Sequence, residues 1–129
     1  PVHPRTRKMI ESTGGALEIP ENLRLIEPLG YLDFVKAMRH ARIVITDSGG
    51  IQEETTVLGI PCITVRENTE RPITIEMGTN VLVGVDPARI RSEAAKILGG
   101  AVRAHRVPPL WDGNTARRIA DVIEGHFRS

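Results

Sequence analysis

Residues 42–54 read R-I-V-I-T-D-S-G-G-I-Q-E-E, and the order of residue types in this stretch decides the architecture. Ile43, Val44, Ile45 and Thr46 are β-branched, as in a buried strand, and Gln52, Glu53 and Glu54 open a helix just past the turn. Gly49 and Gly50 remove side-chain bulk where a helix N-terminus leaves N–H groups without partners, so an anion can approach the main chain. A second reading fits the same residues. Asp47 or Ser48 caps the helix, and Glu53 and Glu54 complement its dipole.

Outward from this stretch the strand-then-helix order repeats. Apolar, β-rich runs fall at N-L-R-L-I-E (22–27), R-I-V-I-T (42–46), C-I-T-V-R (62–66) and N-V-L-V-G-V (80–85), with helical patterns between most of them. Strands apolar at nearly every position belong to a parallel sheet covered by helices on both faces, which predicts an α/β fold, doubly wound. Tyr31, Phe34, Val35 and Met38 form one stripe of a helix ending near Ala41. Ile90, Ala94, Ile97 and Leu98 repeat that geometry behind the N-cap Asp86 and first-turn Pro87, and Gly99 and Gly100 end the helix. A last helix from about Asn114 to Phe127 lines up Ala116, Ile119, Ala120, Ile123 and Phe127.

The bulk properties narrow the function. The chain has 129 residues, a length suited to one domain with its own core, and a formal charge of +1. No basic footprint for nucleic acid is visible, and no apolar run is long enough to cross a bilayer. Cys62 is the only cysteine, so no internal disulfide forms, and the four histidines are too scattered for a metal site. A reducing, cytoplasmic setting follows from this reading. The chain starts P-V-H-P, with neither an initiating methionine nor a signal pattern, and reads as a fragment lacking its N-terminal part.

In open α/β sheets ligands sit outside the carboxyl ends of the strands. That rule selects the loops after Val2, Glu27, Thr46 and Val65. The loop after Val65 packs Arg66, Glu67, Glu70 and Arg71 into six residues, either a solvated charge cluster or a guanidinium brace for phosphates held at the glycine turn. Glu54 lies a little over one turn from Ser48, where a carboxylate can accept both hydroxyls of a ribose. Glu53 is expected to face elsewhere as a surface acid.

Four blocks carry a family resemblance: T-D-S-G-G-I-Q-E-E (46–54), L-G-I-P (58–61), V-R-E-N-T-E-R-P (65–72) and G-T-N-V-L-V-G (78–84). Together with P-V-H-P (1–4) and E-P-L-G-Y-L-D-F (27–34), they resemble the C-terminal domain of the non-hydrolysing UDP-N-acetylglucosamine 2-epimerases. The resemblance implies a Rossmann-like domain spanning 1–129, with its first strand truncated, most of the second half of a GT-B-type two-domain fold. It implies that Ser48, Gly49 and Gly50 hold a diphosphate, that Glu54 binds the ribose and that Arg71 lies near the phosphates. Phe34 packs against uracil, whose edge the Leu29 backbone reads, although Phe34 also fits plain core. His3 matches a histidine near a regulatory nucleotide-sugar site of bacterial relatives. No cofactor and no metal are implied. The partners implied are UDP-GlcNAc and UDP, the missing N-terminal domain and a second copy in a homodimer, in the setting of polysaccharide biosynthesis.

The chemistry implied is departure of UDP to leave a 2-acetamidoglucal, followed by re-addition to give UDP-ManNAc. The carboxylates that move the C2 proton belong, by the same resemblance, to regions upstream of this chain, so the fragment is expected to bind nucleotide without turning over the sugar. Two alternatives share the turn. A GT-B glycosyltransferase uses a similar ribose carboxylate, but the T-E-R-P block argues against it, and a non-enzymatic nucleotide-sugar sensor requires that the upstream carboxylates be absent.

Overall fold

The structure, a computed structural model, describes residues 1–14, 18–101 and 104–128. The chain divides into two compact units, Pro1–Ala37 and Met38–Ser129. In the first unit, α1 (Pro4–Ser12) starts at a proline whose missing N–H costs nothing in the first turn. His3 is its N-cap, and Nδ1 accepts from Arg5 N at 3.2 Å. The sequence patterns did not foresee this helix. The run 22–27 is not a strand: its recorded backbone bonds are a turn from Leu23 N to Pro20 O and one from Val2 N to Ile26 O, each 2.9 Å, too little for a ladder. An Arg7–Glu27 ion pair of 2.8 Å also ties α1 to this segment. α2 (Tyr31–Arg39) begins in the first unit and ends in the second, two residues short of the expected end.

The second unit is built on a parallel sheet. β1 (Val44–Thr46), β2 (Cys62–Thr64) and β3 (Asn80–Leu82) lie side by side in that order, with Thr46, Thr64 and Leu82 in register at their carboxyl ends. Each strand is shorter than its apolar run, β1 at its start and β2 and β3 at their carboxyl ends. α3 (Gly49–Leu58) packs on all three strands, and α5 (Pro87–Leu98) packs on β2. Asp86 caps α5 through its carboxylate and Pro87 opens it, as the sequence predicts. α4 (Ile73–Glu76) is a single turn that no periodicity reveals, and α6 (Thr115–Phe127) closes the chain.

The crossover from α3 to β2 is short for a stated reason. Gly59 takes φ +71°, and Ile60 N reaches back to Thr55 O at 2.9 Å, so the helix ends in a left-handed cap that turns straight into Pro61 and β2. A side-chain carbon on Gly59 would also lie 2.8 Å from His105 Nε2.

The interior departs from the apolar core that the strand runs imply. Met38, Cys62, Ile63 and Val83 are its buried apolar residues among those described, and beside them lie buried Thr46, Gln52, Thr55, Thr56, Thr64, Thr74, Thr79 and Asn80. Buried polar groups require partners. Here Gln52, Thr64, Thr74 and Asn80 join with Thr69 in one hydrogen-bonded chain of side chains, while Thr55 and Thr56 donate to backbone carbonyls of their own helix.

Candidate functional site

The D-S-G-G turn leaves β1 at its carboxyl end and enters α3 within three residues. Thr46 Oγ1 accepts from Ser48 N at 3.1 Å, which fixes the turn. Ser48 is the N-cap, with extended backbone (φ −83°, ψ 130°), yet its side chain makes no capping bond. The first-turn N–H groups of a helix have no intrahelical acceptor, so the donors of this turn stay open toward the strand-end side. The capping reading of Ser48 therefore loses its bond, while its position at the helix start stands.

Charges surround this turn in pairs. Arg71 Nε lies 2.8 Å from Glu53 Oε1, an ion pair without hydrogen-bond alignment, and Arg71 Nη1 donates to Glu70 O at 3.3 Å. Arg66 Nη2 lies 3.4 Å from Glu70 Oε1. The carboxylate of Glu70 stands beside the glycine turn, its Oε2 3.9 Å from where a side-chain carbon on Gly49 would sit. The expectation that Glu53 is a lone surface acid is corrected: four residues after Gly49 it shares that residue's face of α3, and it anchors Arg71. Glu54, half-buried, lies four residues after Gly50 and so shares the face of that glycine.

Ser48, Gly49, Gly50, Glu54 and Arg71 thus belong to one end of the second unit, spread over α3 and the loop after β2. Leu29, Phe34 and His3 belong to the first unit. There Leu29 is exposed, Phe34 is half-buried on α2 and His3 is spent on the α1 cap. Among the described residues, no group of three or more His, Cys, Asp or Glu is placed to hold a metal ion, and no helix is long and apolar enough to cross a membrane.

Apolar periodicity missed the residues beneath the site. Gln52, Thr55 and Thr56 recur at i, i+3 and i+4 along α3, the spacing of a core-facing stripe written in polar residues. Thr69 is the other missed residue: its hydroxyl donates to Gln52 Oε1 at 2.6 Å and accepts from Arg71 N at 3.0 Å. A signal was available, since polar residues at an inward spacing need a network to satisfy them.

Comparison with known proteins gives a uniform result. A sequence profile described as UDP-N-acetylglucosamine 2-epimerase matches residues 1–124. The UDP-N-acetylglucosamine 2-epimerase of Methanococcus maripaludis is 41% identical over 127 residues, covering 97% of this chain and 34% of that protein. That of Escherichia coli K12 is 39% identical over 134 residues, covering 98% and 34%. The crystal structure of Methanocaldococcus jannaschii UDP-GlcNAc 2-epimerase in complex with UDP-GlcNAc and UDP superposes with a TM-score of 0.80 at 38% identity, over 95% of this chain and 34% of that one. The chain spans about a third of the length of the curated relatives it matches.

Proposed function

Because the chain belongs to the UDP-N-acetylglucosamine 2-epimerase family, we propose that it is the UDP-binding part of such an isomerase and that the turn between β1 and α3 is the diphosphate seat. The carrying observation is the uncapped helix start at Ser48, placed at the carboxyl end of a parallel strand. Gly49 and Gly50 hold the diphosphate through the open donors of the first turn and Ser48 through its hydroxyl, and Arg71, already tied to α3 through Glu53, braces it. Glu54 accepts the ribose hydroxyls. Phe34 packs on the uracil, and the Leu29 backbone reads its edge. His3 belongs to a regulatory nucleotide-sugar site. The wider setting is cytoplasmic, in polysaccharide biosynthesis, with a first domain that completes the cleft and a homodimeric assembly.

The seat matters because of how a C2 epimer can form. The C2 proton of a UDP-sugar is not beside a carbonyl, so the C1–O bond breaks toward UDP as C2 loses its proton, and a 2-acetamidoglucal remains. UDP leaves with the bonding electron pair. Donors aimed at the departing diphosphate act where that charge develops, each worth roughly 3 kcal/mol by mutational precedent. Return of UDP to C1 and of a proton to the other face of C2 completes the exchange between UDP-GlcNAc and UDP-ManNAc. The groups that move the proton lie outside these 129 residues, so the chain alone binds UDP and does not epimerise.

Two substitutions separate the roles. Glu54→Gln weakens UDP more than inorganic diphosphate, since the carboxylate serves the ribose, whereas Ser48→Ala weakens both. NMR titration measures each. Equal loss of both ligands in Glu54→Gln, or unchanged UDP affinity, contradicts the assignment of Glu54.

A further inference from the structure

Gln52 has no assigned role, yet its side chain joins α3 to the loop after β2 and to β3. It is fully buried in the first turn-and-a-half of α3. Its Oε1 lies 2.6 Å from Thr69 Oγ1 and 3.2 Å from Asn80 Nδ2. Asn80 in turn meets Thr74 Oγ1 at 3.2 Å and Thr64 Oγ1 at 2.6 Å.

Proton bookkeeping gives this chain one direction. Thr74 Oγ1 lies 2.7 Å from Arg71 O, and a carbonyl only accepts, so the Thr74 proton is committed there. Thr74 must then accept from Asn80, which fixes the nearer Asn80 atom as Nδ2. The Gln52 atom facing Nδ2 must be the oxygen, Oε1. Thr69 accordingly donates to Gln52 and keeps its lone pair for the N–H of Arg71. Asn80 Oδ1 accepts from Thr64 at the end of β2. Gln52 Nε2 is left buried with no hydrogen-bond partner, a cost that the two bonds at Oε1 must outweigh.

We propose that Gln52 is a positioning residue for the diphosphate seat: by holding Thr69, and through it the Arg71 main chain, it sets the arginine at a fixed separation from the N-terminus of its own helix. The two halves of the seat come from separate loops, and this is the buried link between them. Glu53 orients the guanidinium from the surface of α3, while Gln52 fixes the backbone from the interior of the same helix. The proposal rests on the diphosphate reading of the turn, and its test separates the two.

The first measurement needs no ligand. Amide hydrogen exchange is followed at Arg71, whose N–H is bonded to Thr69, and at Ile63 in the central strand as a control for global opening. Gln52→Met removes the acceptor two bonds away from Arg71, and we expect exchange at Arg71 to rise about tenfold while Ile63 is unchanged. Thr69→Val gives the same increase, and Thr69→Ser, which keeps the hydroxyl, restores protection. Unchanged exchange at Arg71, or an equal rise at Ile63, overturns the link; should Gln52→Met fail to fold, Gln52→Asn, which draws the acceptor back from Thr69 by one methylene, is read in the same way.

The second measurement is UDP affinity. Thr69→Val weakens UDP about tenfold, leaves uridine unaffected, and adds nothing in an Arg71→Ala background, because the arginine it positions is gone. A merely structural residue would lower affinity in either background, and additive losses overturn the positioning role. If the unaltered chain binds no UDP, the diphosphate reading falls, and the exchange arm alone still decides whether Gln52 sets Arg71.

Discussion

Ser48 caps α3 by position and not by bond, and the proposed diphosphate seat rests on that missing hydrogen bond. The residue type best suited to silence the first-turn donors leaves them open. Residue identity in the sequence made the helix start at Ser48 and the two glycines legible, because a polar residue followed by glycines suits the entry to a helix. Glu53 was not legible. Adjacent acids on a helix differ by about 100° in direction, but only the loop after β2 decides which of them meets an arginine. Cys62 offers a test of the interior at this scale. Burial pushes its thiol up, and the neighbouring hydroxyls of Thr55 and Thr64 pull it down by less. The folded chain therefore keeps the Cys62 proton to higher pH than the unfolded chain, whose thiol titrates near pH 8.5. Unfolding releases that proton above this pH, so stability falls as pH rises through and beyond it. Urea midpoints between pH 7.5 and 9.5 are expected to fall less in Cys62→Ala than in the unaltered chain. An identical slope in both would show that the thiol is not buried as described.

At the scale of elements, the helices around the sheet were legible where a cap announced them and illegible where tertiary contacts made them. Asp86 and Pro87 start α5 as their types require, and the strand runs at 42–46, 62–66 and 80–85 each contain a strand. The run at 22–27, apolar at Leu23, Leu25 and Ile26 with one β-branched residue, forms no ladder, since an apolar pattern does not supply the neighbouring strand. Two glycines separate packing from function. A side-chain carbon on Gly78 would lie 2.6 Å from the Thr74 carbonyl and closer still to Thr56 Oγ1, so α3 approaches the chain entering β3 only because that residue is glycine. Gly78→Ala is expected to cost about 1–3 kcal/mol, read as a lowered midpoint in thermal or urea unfolding. At Gly49 the nearest atom to such a carbon is 3.9 Å away, ordinary contact. Gly49→Ala is expected to leave the midpoint within about 0.5 kcal/mol of the unaltered chain and to weaken UDP, because the new methyl occupies the approach to the first-turn amides. A destabilised Gly49→Ala, or one that binds UDP normally, counts against a close main-chain approach by the ligand.

At the scale of the whole molecule, hydrophobic periodicity reports that a face is built for cover without saying what covers it. The stripe that the sequence lines up on α6 is exposed, with Ile119 and Ile123 more than half accessible and Phe127 at 83%. The chain spans about a third of its relatives' length, and the function proposed for it is one share of theirs: a diphosphate and ribose seat without the groups that move the sugar proton. Such a part-site binds weakly, about millimolar or near −4 kcal/mol, because the closing half of the cleft and its preorganisation are not supplied. The most direct test is an NMR titration of the 129-residue chain with UDP, followed by incubation with UDP-GlcNAc. The account predicts saturable shifts at the Ser48, Gly49 and Gly50 amides in the millimolar range and no UDP-ManNAc formed. Silent amides at these three residues while UDP is raised well past that range, or UDP-ManNAc produced by the chain alone, would contradict it.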